Sequence, residues 1–223
     1  MSTAQIADGL LMWIVLCISI ALHEWGHAAS ADKLGDGTPR GQGRVTLNPL
    51  AHLDPIGTGL IPLVMIFLPM MTGGATFALL GWGKPVQVNV GNFPPRQRMT
   101  YHLLSVAAGP AVNVVLLIAM TPLLAVSTVF LPDAQDLFFN FLLINAILIV
   151  FNLIPIPPLD GSHFLRYATG MSEMQFVKLS QMGIIILLIA INLPPFRVFL
   201  SFAMGLVLAP FIFVADLLVR MLS

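Results

Sequence analysis

The chain has 223 residues, of which 57% are hydrophobic and only 9% are charged, and its formal net charge is zero. A soluble domain carries about 25% charged residues, so this composition, with a mean hydropathy of +0.92, excludes an ordinary soluble protein and predicts an integral membrane protein. The balanced charge gives no indication of a nucleic acid partner, and the single cysteine, Cys17, excludes an intrachain disulfide framework.

Hydrophobic stretches follow one another along the chain, and each is long enough, or nearly so, to cross a hydrocarbon core of about 30 Å as a helix. They cover residues 9–31, 56–82, 101–130, 137–158, 177–193 and 198–219. The second stretch differs because it contains Pro62, Pro69 and the Gly73-Gly74 pair, which interrupt a straight helix. These interruptions favour a bent or re-entrant hairpin over a single crossing.

The basic residues indicate which ends of the spans face the inner side of the membrane. If residues 56–82 enter and leave on the same side, all 10 Lys and Arg residues except Arg197 lie on one face. If that stretch crosses once, the basic residues are scattered over both faces. Because Lys and Arg concentrate on the inner side, we expect an outer N-terminus, an inner C-terminus, five full spans and one re-entrant hairpin.

The first stretch ends in the motif His23-Glu24-Trp25-Gly26-His27. On a helix, His23 and His27 stand one turn apart on one face, which is the spacing that two imidazoles need to bind one zinc ion. Glu24 lies about 100° further round, where the H-E-x-x-H motif places its general base. The alternative is a helix-end glutamate that reaches water beside two packed histidines, although an ionisable residue within a membrane helix is usually functional.

The fourth stretch predicts a third metal ligand. By the expected topology it runs from the outer to the inner side, as the first stretch does, so Asp160 arrives at the depth of His23 and His27. Two histidines and one aspartate with an open fourth position make a catalytic zinc site. The alternative for Asp160 is an ordinary Asp-Gly turn after a helix.

Two shorter segments show the alternation of β-strands. Residues 44–47 follow a glycine-rich start, and Val86, Val88 and Val90 alternate with polar residues. Both segments lie on the inner side in the expected topology. They predict either a small hairpin that could pair with an extended substrate, or a surface loop with some extended structure.

Taken together, three motifs resemble those of the site-2 protease family of intramembrane zinc metalloproteases. The first is the H-E-x-x-H run at residues 23–27. The second, residues 152–161, follows the pattern N-x-x-P-x-P-x-L-D-G, and the third, residues 109–113, is similar to G-P-x-x-N. Residues 44–55 also look like a compact bacterial or archaeal branch of that family. The match spans residues 23–161, well over half of the chain.

The resemblance implies one zinc ion per chain on His23, His27 and Asp160, with Glu24 as the base, and hydrolysis of peptide bonds in or near a transmembrane segment of a membrane-protein substrate. It also implies that Asn113 and Asn152 orient the substrate or hold the transition-state oxyanion. The alternative for both asparagines is hydrogen bonding between helices. A third candidate for contact with zinc or substrate is His52, whose alternative role is to cap a turn.

The expected fold is therefore an all-α polytopic membrane protein, with about five full spans, a re-entrant hairpin and a small β element on the inner face. Residues 1–223 are expected to form one membrane-embedded protease domain, with a catalytic core at 9–161 and accessory helices in 177–220, and without the PDZ or nucleotide-sensing domains of longer relatives. A prokaryotic plasma membrane with a cytosolic C-terminus is expected. The rival functions are a zinc-binding membrane transporter or sensor and a non-catalytic scaffold, neither of which needs Glu24 as a base.

Overall fold

The computed structural model describes residues 2–72 and 81–223, and they form an α-helical bundle. The α-helices are α1 (Thr3–Lys33), α2 (Thr38–Gly41), α3 (Ile61–Thr72), α4 (Arg98–Phe130), α5 (Gln135–Asn152), α6 (Gly161–Ala168), α7 (Glu173–Asn192) and α8 (Pro194–Leu222). A π-helical segment, Pro55–Leu60, leads directly into α3, and short 3₁₀ turns occupy Pro49–Ala51, Val90–Asn92 and Pro132–Ala134.

Within the described ranges, six helical segments are long and apolar enough to cross a membrane. They are Thr3–Lys33, Pro55–Thr72, Arg98–Phe130, Pro132–Asn152, Glu173–Asn192 and Pro194–Leu222. These segments coincide with the six predicted hydrophobic stretches and confirm an all-α polytopic membrane protein. Pro62 and Pro69 lie inside α3 and do not break it, whereas the predicted break at Gly73-Gly74 lies outside the described residues.

The prediction of a small β element is wrong for the part of the chain that the structure describes. Residues 44–47 and 84–89 have no strand partner, and the pairing is limited to an isolated antiparallel bridge between Leu53 and Gly83. The alternation did identify which side chains face inward, because Val86, Val88 and Val90 are half-buried and the residues between them are exposed. Alternation reports which face is buried, and it does not supply a neighbouring strand.

Side chains, and not a neighbouring strand, form hydrogen bonds with the backbone N–H and carbonyl groups of residues 84–89. The Val86 N–H donates to Glu24 Oε2 at 3.2 Å, and the Asn89 N–H donates to Asp36 Oδ2 at 2.7 Å. The buried guanidinium of Arg44 donates to the carbonyls of Ala51 and Lys84. Residues 84–89, which we call the inner strap, are therefore held by three charged side chains.

The core forms where α1, α4, α5 and α8 meet. One buried cluster joins α1 to α5 through Val15, Leu16, Ile20, Ile144 and Leu148. A second joins α4, α5 and α8 through Leu117, Leu124, Leu142, Ile149 and Ala215.

Gly26 permits the close approach of α1 to α4, because a Cβ there would lie 2.7 Å from the Ala108 carbonyl oxygen. The helix that carries the H-E-x-x-H motif is thus packed directly against α4.

Candidate metal centre

Three side chains converge at the junction of α1 with the start of α6. The Nε2 atoms of His23 and His27 lie 3.0 Å apart, and each lies 3.3 Å from Asp160 Oδ2. Tetrahedral zinc with bonds of about 2.0–2.1 Å to nitrogen and oxygen holds its ligand atoms roughly 3.3–3.4 Å apart. The three atoms therefore have the spacing of one face of a zinc tetrahedron.

Hydrogen bonds to the far side of each imidazole determine which nitrogen is available to a metal. His27 Nδ1 lies 2.8 Å from the carbonyl oxygen of Ser105, which can only accept, so Nδ1 carries the proton. His23 Nδ1 lies 2.6 Å from Asn113 Oδ1 and donates to it in the same way. Both Nε2 atoms then present lone pairs toward each other, an arrangement that a shared cation stabilises.

Asp160 completes the fit. Its Oδ2 atom is buried and has no hydrogen-bond donor among the described residues. A buried carboxylate oxygen without a donor is costly unless it coordinates a metal or pairs with a charge. Two imidazole nitrogens and one carboxylate oxygen are ligands that suit zinc, so the residues present fit the ion that the sequence predicts.

Two glycines make room for this cluster. A Cβ on Gly109 would lie 2.8 Å from His23 Cε1 and would overlap the His27 ring, so α4 can pass the imidazoles only with glycine at this position. A Cβ on Gly161 would meet the Ile154 carbonyl oxygen at 2.6 Å, so the loop after α5 can fold back and present Asp160 only with glycine next to it. Both glycines belong to the motifs that carried the family resemblance.

Glu24 lies beside the cluster and against the inner strap. Its Oε2 atom accepts the Val86 N–H, and its Cγ atom packs on Gly83, where an added Cβ would be 2.8 Å away. The charge of Glu24 also acts on the buried Arg44: burial lowers the pKa of Arg44, and the charge of Glu24 raises it. Glu24 is therefore oriented by backbone and lies next to a buried positive charge.

The other predicted site residues form hydrogen bonds with different parts of the bundle. Asn113 contacts His23, as described, and its Nδ2 donates to Asn145 Oδ1 at 2.8 Å. Asn152 donates to the Leu148 carbonyl of its own helix at 2.9 Å.

His52 is fully buried near Glu24 and Arg44, and its Nε2 lies 2.8 Å from the Thr46 carbonyl oxygen. Burial lowers the pKa of His52, and the charge of Arg44 lowers it further. The ring is therefore neutral at physiological pH, with Nε2 as the donor to Thr46.

Sequence reasoning missed Ser105 and Asn145, which support the two histidines of the candidate metal centre. Ser105 contributes its backbone carbonyl, which every residue carries, so no sequence signal identifies it. Asn145 is a polar residue within an apolar span, and that alone marks it as a candidate for hydrogen bonding between helices.

Comparison with known proteins identifies the family to which the chain is similar. The model of the family described as "Peptidase family M50" matches residues 127–191. The chain is 38% identical over 166 residues to "Putative zinc metalloprotease YwhC" of Bacillus subtilis, covering 69% of this chain and 66% of that protein. It is 30% identical over 186 residues to "Putative zinc metalloprotease Rip2" of Mycolicibacterium smegmatis, covering 79% and 64%. It is 34% identical over 154 residues to the Rip2 of Mycobacterium tuberculosis, covering 67% and 52%.

The chain thus spans between about half and about two thirds of the length of these curated relatives. No solved structure matches it. The family model covers the motif at residues 152–161, and together with the relatives it shows that the chain belongs to peptidase family M50.

Proposed function

We propose that this protein is an intramembrane zinc metalloprotease that hydrolyses peptide bonds in or near the transmembrane segments of membrane-protein substrates. The observation that carries the proposal is the triangle of His23, His27 and Asp160 ligand atoms, with Glu24 next to it, inside an apolar helical bundle. A transporter or a sensor needs the ligands, but it does not need a carboxylate that is oriented beside them.

His23, His27 and Asp160 would hold the zinc ion. When bound, zinc supplies a Lewis acid that lowers the pKa of a water ligand to about 7 and polarises a carbonyl group. Glu24 directly follows His23 on α1, so its carboxylate takes the proton of the attacking water and passes it to the leaving amine nitrogen. The Val86 N–H holds Oε2 of Glu24, which leaves the other carboxylate oxygen for that proton.

The roles of Asn113, Asn152 and His52 toward the substrate or the oxyanion stay predictions. The described hydrogen bonds engage Asn113 with His23 and Asn145, Asn152 with its own helix and His52 with Thr46. An oxyanion contact therefore requires the remaining N–H of an amide that already has a partner.

We also propose that residues 56–82 enter and leave the membrane on the same side. The Trp82 N–H donates to the Gly57 carbonyl at 3.1 Å, and the Lys84 N–H donates to the His52 carbonyl at 2.7 Å. The chain thus returns to the beginning of the helical segment that it left. In addition, the side chain of Gln42, after α1, bonds to that of Gln87, before α4, which places these two loops together.

This arrangement supports five full spans with an outer N-terminus and a cytosolic C-terminus in a prokaryotic plasma membrane. All Lys and Arg residues except Arg197 then lie on the inner side, as the charge distribution of membrane proteins requires. The metal centre lies toward the inner end of α1, so the scissile bond is cut near the cytosolic side. Because Ala215 of α8 shares a core cluster with α4 and α5, residues 1–223 are proposed to act as one domain.

The test measures bound zinc and cleavage in the same purified samples, in nanodiscs, with a model single-span substrate. Glu24→Gln should retain about one zinc ion per chain and lose cleavage by at least about 10²-fold, since a positioned general base contributes roughly 10²–10⁴-fold. Glu173→Gln is the matched control, because Glu173 is exposed and forms an ion pair with Arg166 at 3.7 Å, away from the metal centre. Equal cleavage by Glu24→Gln and wild type would overturn the proposed role of Glu24 and favour a zinc-binding protein without protease activity.

A further inference from the structure

A continuous row of buried polar side chains runs across the bundle to the metal centre. Ser19 of α1, Asn113 of α4 and Asn145 of α5 each have no exposed surface. Asn145 Nδ2 donates to Ser19 Oγ at 3.0 Å and to the Phe141 carbonyl at 2.8 Å, and Asn113 Nδ2 donates to Asn145 Oδ1 at 2.8 Å. Buried amides in an apolar bundle are costly unless they are hydrogen-bonded, and these two are bonded at both ends.

The donors and acceptors at the two ends of this row allow only one orientation of each amide group. The Phe141 carbonyl can only accept, so the Asn145 atom beside it is the NH₂ group, and Asn145 Oδ1 faces Asn113. Asn113 must then present its own NH₂ group to Asn145, which turns Asn113 Oδ1 toward His23. An oxygen at 2.6 Å from His23 Nδ1 requires a proton on Nδ1 and leaves the lone pair on Nε2.

We propose that Asn145 is a positioning residue for the metal centre, and that it sets the tautomer of His23 through Asn113. The ion concerned is the zinc of the proposed function, so the inference rests on that function. Asn113 alone cannot fix the tautomer of His23, because the oxygen and the NH₂ group of an amide have almost the same shape and the side chain could bind in either orientation. If Asn113 turned round, its NH₂ group would face Nδ1, the proton would move to Nε2, and the metal-binding lone pair would be lost.

The two histidines differ in how this orientation is achieved. The Nδ1 atom of His27 is held by the Ser105 carbonyl of the helix backbone, which cannot turn round. His23 is held by a side chain that can, so His23 needs the second amide behind the first. The inference therefore predicts that loss of Asn145 alters the tautomer of His23 and leaves that of His27 unchanged.

The experiment compares wild type, Asn145→Leu and Asn192→Leu in nanodiscs. Asn192 is the matched control, because its Nδ2 donates to the carbonyl four residues earlier in its own helix, that of Leu188, just as Asn145 Nδ2 donates to that of Phe141. Asn192 differs in that it is exposed. We expect zinc affinity, measured by competition with a chelator, to fall roughly 10–100-fold in Asn145→Leu, as for other partners of metal-binding histidines. Asn192→Leu should bind zinc as wild type does.

Two further measurements separate positioning from a general loss of stability. In zinc-free protein with ¹⁵N-labelled histidine, wild-type His23 should carry its proton on Nδ1, and Asn145→Leu should give a mixture of tautomers for His23 alone. The double variant Asn113→Asp/Asn145→Leu should recover most of the zinc affinity, because a carboxylate has no donor end and accepts from His23 in either orientation. If Asn145→Leu does not fold, Asn145→Asp, whose buried carboxyl group in its neutral form keeps an acceptor facing Asn113 and a donor facing Phe141, should bind zinc within about threefold of wild type.

An unchanged His23 tautomer and unchanged zinc affinity in Asn145→Leu would overturn the inference, and so would a double variant no better than the single one. Failure of the proposed function gives a different pattern. In that case wild type holds zinc and the tautomers respond as described, but no substrate is cleaved.

Discussion

Replacement of Gly109 by alanine tests the geometry of the metal centre most directly. The added Cβ would lie 2.8 Å from His23 Cε1 and closer still to the His27 ring, whereas ordinary contact begins near 3.4 Å. The imidazoles or α4 must therefore move by at least about 0.6 Å, which exceeds the tolerance of about 0.5 Å for a functional constellation. Overpacking of this kind also costs about 1–3 kcal/mol.

We expect Gly109→Ala to lower zinc affinity by at least about 100-fold, which corresponds to about 2.7 kcal/mol. The assay is chelator competition on purified protein, with the unfolding temperature measured in parallel. Gly205→Ala is the matched control, because Gly205 lies inside the spanning helix α8, and among the described residues no side chain and no backbone of another element lies within 4 Å of the added methyl group. Zinc affinity within threefold of wild type in Gly109→Ala would mean that α4 does not pass the imidazoles as closely as described.

Three further changes test the loops and the ion. Arg44→Met removes both donors to the Ala51 and Lys84 carbonyls, so we expect a loss of stability of about 1–3 kcal/mol per buried group and slower cleavage with zinc retained. The control is Arg40→Met, which breaks only a surface ion pair and should leave the unfolding temperature almost unchanged. Burial raises the pKa of Asp36, but hydrogen bonds from Thr38 and from other donors hold it below 3.8 overall. Its stabilisation is therefore complete above about pH 4 and is lost as pH falls through the lower native pKa, so the difference in unfolding temperature between wild type and Asp36→Asn should shrink below pH 3.8. A chelator should lower the unfolding temperature of wild type, and zinc at about 1,000 times its Kd should restore about 4 kcal/mol.

The candidate metal ligands could be predicted from the sequence because they depend on local spacing and on the expected depth of each residue in the membrane. His23, Glu24 and His27 follow from the helical repeat alone. Asp160 is distant in sequence, and it was assigned because the expected direction of each span places the end of α5 at the depth of the histidines and because residues 152–161 resemble a family motif. The convergence of all three ligand atoms agrees with that assignment.

The support of the site was harder to predict. Asn113 was expected to face the substrate or to join helices, and its hydrogen bonds run to His23 and to Asn145 on another helix. A sequence shows that an amide is present in a span, but it does not show which end of the amide faces which neighbour. The Ser105 carbonyl has no side-chain signal at all.

In the inner strap, the sequence pattern predicts a paired strand that the structure does not have, and there is a physical reason for the difference. Alternating valines are typical of a strand, and here they do bury every second side chain. Two of the strap's N–H groups, those of Val86 and Asn89, donate to the carboxylates of Glu24 and Asp36, and the Lys84 carbonyl accepts from Arg44, so these groups are not available to a neighbouring strand. A charged side chain that reaches into a loop competes with a neighbouring strand for the same backbone groups.

The buried polar atoms without hydrogen-bond partners are concentrated near the metal centre. Among the described residues they are Arg44 Nε, His52 Nδ1, Asp160 Oδ2 and His163 Nδ1. Asp160 is a proposed ligand and His163 lies one helical turn after it, while the charge of Glu24 acts on both Arg44 and His52. In the row from Ser19 to His23, by contrast, the two buried amides, Asn113 and Asn145, are each hydrogen-bonded at both ends. An unpaired buried polar atom lowers the stability of the folded protein by about 1–3 kcal/mol. Among the described residues such atoms lie where an ion, a water molecule and a peptide group are expected to bind.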